Sequence, residues 1–207
     1  MKKLLKPALA LAALMAVSSF GVAQRTALSE LKPDPALQVQ TKIATLPCCE
    51  CVGKQTQIDI STGQSAPVDP LWQVNGTSAY TTPPYPGWAT TLSPAKWIQP
   101  VSSPTPSPGV PAAFFKYTLQ FTIPKCVVPN DVSIVGNFAA DNGAKVSLDG
   151  NPVASCPTPY CFKTPAQPLS IQGIGPGSHT LTFEVQNEGG PSGFIVNAKL
   201  TRQCRKD

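Results

Sequence analysis

The chain is poor in the residues that most catalysis relies on. His179 is its one histidine, charged residues make up only 13% of it, and neither Gly-x-Ser-x-Gly nor His-Glu-x-x-His occurs. That leaves the usual serine-hydrolase and zinc-peptidase arrangements without their residues. Carboxylates are few, and Glu184 and Glu188 fall at strand and loop positions unsuited to the paired geometry of a glycosidase. No enzyme is expected. Runs of Lys or Arg are missing apart from the tail Arg202, Arg205 and Lys206, so there is no basic footprint for nucleic acid. After residue 23 no apolar stretch is long enough to cross a membrane. Helix has little room: beyond the leader only residues 27–40 could host one, and Pro33 and Pro35 break it.

The leader itself reads as a signal peptide covering residues 1–23. Lys2, Lys3 and Lys6 form a basic start, residues 9–17 a short apolar core, and Gly21 and Ala23 small residues at the −3 and −1 positions of a cleavage site. A retained anchor would need a longer core. No Cys follows the cleavage site directly, which speaks against a bacterial lipoprotein. The expected product is an exported bacterial protein, periplasmic or secreted to the cell surface, with no membrane span once the leader is cut. The net charge of +5 owes much to those three lysines, since without them 13 basic residues face 11 acidic ones, a balance of +2. All seven Cys lie beyond the leader, which fits an oxidising compartment.

Period-two alternation dominates the second half of the chain. In residues 114–123, Phe115, Tyr117, Leu119, Phe121 and Ile123 share one face, and Lys116, Thr118, Gln120 and Thr122 the other. Alternation of this kind places every second side chain on one side of a half-buried strand. Further strands are expected at 132–138, 144–148, 178–186 and 193–201. Their inward set is Val132, Ile134, Val146, Leu148, Leu181, Phe183, Val185, Phe194, Val196, Ala198 and Leu200. Hairpin turns are expected at Asp141-Asn142-Gly143, Asp149-Gly150-Asn151 and Asn187-Glu188-Gly189-Gly190. Upstream, residues 24–47 read as a flexible lead-in, residues 56–60 and 71–74 as short strands, and Asn75-Gly76 as a turn. Residues 80–111 are crowded with proline, including Pro83-Pro84 and Pro104-Thr105-Pro106-Ser107-Pro108, and are expected to form a long loop outside the central sheet. The expected fold class is all-β, an antiparallel sandwich or jelly roll formed by residues 48–207.

Particular phrases resemble the galactose-binding-like jelly roll shared by many carbohydrate-binding modules. They are the entry with Trp88 and Trp97-Ile98-Gln99-Pro100, the strand Tyr117-Thr118-Leu119-Gln120-Phe121-Thr122-Ile123-Pro124, the run from Ala140 to Gly150, and the closing runs from Gly177 to Asn187 and from Gly190 to Leu200. The resemblance spans roughly residues 71–204. It implies the fold more strongly than any ligand, because these motifs encode turns and core. It also implies that a structural calcium is possible, with oxygens from Asp141-Asn142 and Asp149-Gly150, although ordinary turn chemistry accounts for the same residues.

Candidate ligand contacts are the loop aromatics Tyr85, Trp88 and Tyr160, since sugars present flat C–H faces that stack on exposed rings. Asp141, Asn142 and Asn187 are the candidates for hydroxyl contacts. The competing reading folds these rings back over the end of the sandwich, and it applies with more force to Trp97 beside Ile98. His179 shares parity with Leu181, Phe183 and Val185, so it reads as structural. Cys156 and Cys161 bracket a four-residue loop and are expected to pair. Cys126 and Cys204 are each expected to join one of Cys48, Cys49 and Cys51, leaving one Cys for an intermolecular bond or a free thiol. A zinc site on Cys48-Cys49-x-Cys51 lacks further ligands. The sequence therefore points to a non-catalytic exported protein that binds a glycan through loop aromatics. The alternative is a structural protein of the cell surface or periplasm that meets a surface partner, or forms a disulfide-linked oligomer, through strand edges or the spare cysteine.

Overall fold

The structure, a computed structural model, describes residues 44–45, 55–88, 92–125, 129–157, 159–163 and 165–203. Twelve strands and one 3-10 turn, Pro129–Asp131, occupy them, and no α-helix occurs among the described residues. The strands are β1 Ala44–Thr45, β2 Gln55–Asp59, β3 Val68–Val74, β4 Thr77–Thr82, β5 Trp97–Gln99 and β6 Ala113–Ile123. They continue as β7 Val132–Asp141, β8 Gly143–Leu148, β9 Asn151–Cys156, β10 Gln167–Gln172, β11 Gly177–Asn187 and β12 Gly193–Gln203.

Hydrogen bonding connects ten of them in the order β10-β7-β12-β5-β4-β3-β6-β11-β8-β9, while β2 pairs with β12 and β1 lies parallel to β6. All other pairs are antiparallel. Two faces result: β10-β7-β12 on one side and β3-β6-β11-β8-β9 on the other, linked along one edge by β4 and the three residues of β5. The two end strands, β9 and β10, approach each other, so the sandwich is nearly closed. The all-β antiparallel fold expected from the alternation is the fold observed.

Inner-face residues form one apolar core. Of the expected inward set, all are buried except Leu148, which is partly covered and packs against the same cluster. Phe183 of β11 meets Phe194 of β12 at 4.4 Å between ring centroids, and Trp72 meets both edge-on at 5.6 and 5.4 Å. Each such fully buried ring contributes about 1.5–3 kcal/mol through the surface it removes from water. Trp72 also donates from Nε1 to the carbonyl of Ile60 at 2.9 Å, so its polar atom is satisfied inside the core.

Pairing differs from the sequence expectation at two turns. Asp141-Asn142-Gly143 and Asn187–Gly190 are not hairpins: β7 pairs with β10 and β12, whereas β8 pairs with β11 and β9. Both turns carry the chain from one sheet to the other. Period-two patterning sets a strand's faces without naming its neighbour, and turn residues serve an arch as well as a hairpin. Two true hairpins do occur, at Asn75-Gly76 and Asp149-Gly150. All four of these residues have positive φ (49°, 77°, 50° and 81°), as a two-residue turn of this hand requires.

The proline-rich region is also corrected. β4 runs on to Thr82, and β5 sits within the path between β4 and β12. Pro94 and Pro100 flank β5 without entering it, so no ladder donor is lost. β9 and β10, two strands beyond those the alternation predicts, contain Pro152 and Pro168. They are the two end strands of the path, the position where a missing N–H is tolerated.

Candidate functional site: the loop end and the groove beside it

The arches gather the loop residues singled out from sequence at one end of the sandwich, where most of them are already committed. Trp88 is 4% exposed, lies stacked on Trp97 at 4.1 Å, and donates from Nε1 to Asp141 Oδ2 at 2.7 Å. Gly193 makes its seat: a Cβ there would lie 2.5 Å from the Trp88 ring. Trp88 therefore presents no free face for a sugar, and its expected stacking role gives way to packing. Tyr85, 41% exposed, touches Trp88 edge-on at 6.1 Å. Tyr160 is 59% exposed, but the Lys163 ammonium covers one face at 3.9 Å.

The polar candidates are spent in the same way. Asp141 is buried, and that burial pushes its carboxyl up to about 6; Glu188 pushes in the same direction, while the hydrogen bond from Trp88 pulls it down. Asn142 uses both ends of its side chain and its backbone. Its N–H donates to Gln186 at 2.6 Å, and its carbonyl accepts from Cys161 N at 2.8 Å. Its Nδ2 donates to Pro159 O at 3.3 Å, and its Oδ1 accepts from Glu188 N at 2.8 Å. Asn187 is buried and donates to the carbonyls of Val110 and Pro111, which holds the entry to β6; its Oδ1, buried too, has no hydrogen-bond partner among the described residues. These are scaffold roles rather than free hydroxyl contacts.

Cys156 and Cys161 are bonded, with Cα atoms 5.7 Å apart, as their spacing implied. Cys48, Cys49, Cys51, Cys126 and Cys204 lie outside the described residues, as does the leader. Asp141 and Asp149 lie beyond opposite ends of the six-residue β8, itself about 20 Å long at some 3.3 Å per residue, so they cannot share a calcium ion. Among the described residues no three His, Cys, Asp or Glu side chains come together. His179 stacks on Phe121 at 5.2 Å, and its Nδ1 lies 2.7 Å from Asp149 Oδ2. Burial acts to raise the Asp149 carboxyl, but bonds from His179 and Thr180 outweigh it and hold the group below the usual range. The pair fixes the Asp149-Gly150 hairpin, a structural duty.

The open surface lies instead on the outer face of β6-β11-β8-β9. A groove of about 740 Å³ runs across it, lined among others by Lys116, Thr118, Lys145, Ser147, Thr182 and Glu184. Register explains the lining. Thr118 lies opposite Thr182, which lies opposite Ser147, giving a row of three hydroxyls; Lys116, Glu184 and Lys145 form the next row along. The hydroxyl side chains are short and half-buried, so they form a floor, whereas Pro152 and Val153 on β9 stand exposed at one side. None of the three hydroxyls is hydrogen-bonded to another described residue, nor is that of Ser155. A second recess of about 310 Å³ shares Lys145, Ser155 and Glu184 and extends to Phe114, Gln186 and Pro157. Phe114 is 55% exposed, with the parity of Lys116 rather than Phe115. The signal was present in the sequence: the doublet Phe114-Phe115 puts one ring on the polar face. Alternation assigns this face to solvent but does not reveal the groove on it, which depends on the pairing of β6, β11 and β8.

No family model matches the chain, and no curated protein does. Solved structures with a similar course include a GH2 β-galacturonidase from Eisenbergiella tayi bound to galacturonate, at 14% identity and a TM-score of 0.38, covering 75% of this chain and 26% of that one. An exo-β-1,3-galactanase from Phanerochaete chrysosporium with β-1,3-galactotriose shows 11% identity and a TM-score of 0.30, over 73% of this chain and 29% of the other. A β-glucuronidase from Ruminococcus gnavus gives 11% and 0.34, over 73% and 31%. The chain spans under a third of the length of each. Likeness this distant transfers no function to it.

Proposed function

We propose that this chain is a non-catalytic, exported glycan-binding protein whose site is the groove on the outer face of β6, β11 and β8. One observation supports this reading above the rest: Thr118, Thr182 and Ser147 form an aligned floor of hydroxyls that no described residue engages. Sugar hydroxyls pair readily with such donors and acceptors, and the exposed Phe114 ring in the adjoining recess offers an apolar face for sugar C–H groups. A concave site with few convergent polar groups suits reversible binding. Between Phe114 and Thr118 the strand spans about 13 Å, at some 3.3 Å per residue, so an extended oligosaccharide rather than a monosaccharide would fill it. The loop aromatics take a reduced part in this reading: Trp88 is structural, and Tyr160 is carried by the disulfide-closed loop whose Cys156 and Pro157 wall the recess.

A glycan array probed with the wild-type protein, Phe114→Ala and Thr118→Ala/Thr182→Ala tests it. Saturable binding of one sugar class, weakened about tenfold or more in both variants with melting temperature unchanged, is the expected result. Binding that both variants retain would move the site elsewhere. An empty array, together with a concentration-dependent oligomer, would favour the assembly alternative.

A further inference from the structure

We infer that the groove selects an acidic oligosaccharide, one bearing carboxylates along the chain. The inference rests on the glycan reading above and adds the charge class of the ligand. Three ionisable side chains line the groove, two lysines and one glutamate, which leaves it a net positive charge. Glu184 lies directly between Lys116 and Lys145 in the register, opposite Lys116 on β6 and Lys145 on β8. Its carboxylate pairs with Lys116, with Oε2 3.9 Å from Nζ. Lys145 forms no ion pair with any described residue, and its other cross-strand neighbour is Ser155, a neutral hydroxyl.

Lys145 also occupies a particular place. It lines both the groove and the recess that reaches Phe114, so a ligand crossing from one to the other passes it. An ammonium beside free hydroxyls is a complete set of donors for a sugar carboxylate. Its charge-assisted bonds are stronger than those a neutral hydroxyl would make at the same position. Glu184 acts in the opposite sense. Its negative charge repels a carboxylate, so the lysine pair and the glutamate together set how strongly acid is preferred over neutral sugar.

Calorimetric titration with tetragalacturonate and with its fully methyl-esterified form provides the test, since the two differ chiefly in charge. Wild-type protein is expected to bind the acid at least tenfold more tightly than the ester, and ionic strength of about 0.5 M should shrink that ratio. Lys145→Gln, a change on an exposed side chain, should abolish the preference by weakening acid binding to the level of the ester. Glu184→Gln should do the reverse and tighten acid binding. Equal binding of acid and ester, or a preference that survives Lys145→Gln, overturns the inference while the glycan reading stands. Binding of neither form, with a neutral sugar positive on the array, also overturns it. Binding of neither, with the array empty, removes the glycan reading as well.

Discussion

Replacing Trp88 with Ala separates packing from ligand contact more cleanly than any other single change. The ring is 4% exposed, stacks on Trp97 and closes over Gly193, so its removal opens a cavity in a satellite core with Ala139 and Ile195. Trp→Ala changes at buried sites cost about 3–5 kcal/mol. The indole N–H leaves too, stranding the buried Asp141 carboxyl it serves at 2.7 Å, a loss of about 1–3 kcal/mol taken alone. The two terms share a site and do not add fully. A fall of about 4–5 kcal/mol is therefore expected, a large share of the 5–15 kcal/mol that holds a typical domain. Urea denaturation followed by circular dichroism measures it: with a slope of about 2 kcal/mol per molar, the midpoint drops by about 2 M. Trp88→Phe, which keeps a ring and loses the donor, should lie between the variant and wild type. A loss below about 1 kcal/mol, accompanied by loss of glycan binding, would refute the packing argument and make Trp88 a ligand contact.

Two further outcomes follow from the same loop end. Asp141 has its pKa raised from 3.8 to about 6, so the folded state holds this proton more tightly than the unfolded chain does. Its contribution is full below pH 3.8 and is lost as pH rises through about 6, a loss of about 2 kcal/mol once solvent screening of this partly accessible group is counted. The wild type should lose that much stability relative to Asp141→Asn between pH 4 and 7 in parallel denaturation series; a constant difference would contradict the assignment. Breaking the Cys156–Cys161 link with a double Ser replacement frees a short loop in the unfolded state and should cost about 2 kcal/mol by chain entropy, read from thermal unfolding. No measurable change would mean that the loop is held by the Asn142 hydrogen bonds alone.

How far the sequence disclosed this molecule depended on whether the information was local. Alternation from Phe115 to Ile123 and along β11 and β12 named the core faces correctly, because burial on a strand follows parity and little else. Asn75-Gly76 and Asp149-Gly150 disclosed their hairpins because a positive φ demands those residue types. Asp141-Asn142-Gly143 carries the same turn chemistry yet forms an arch, since what decides it is whether β8 pairs with β7 or with β11, a choice made far away in the chain. Trp88 is the sharper case. It sits in a proline-rich loop that looks exposed, and only the fold brings Asp141, 53 positions on, and Gly193 to cover it. The groove lay open to inspection in part: Lys116, Thr118, Thr182 and Glu184 were legible as a polar face. The alignment of Thr118 with Thr182 and Ser147 required the register of three strands.

The central claim is that a glycan lies on the outer sheet face rather than among the loop aromatics. The most direct measurement is an amide chemical-shift titration with the tightest-binding oligosaccharide from the array. Shifts concentrated at residues 114–118, 145–147 and 182–186 are expected, with those around Tyr85 and Trp88 unmoved. Shifts clustered instead at Tyr85, Trp88 and Tyr160, with the sheet face silent, would contradict it.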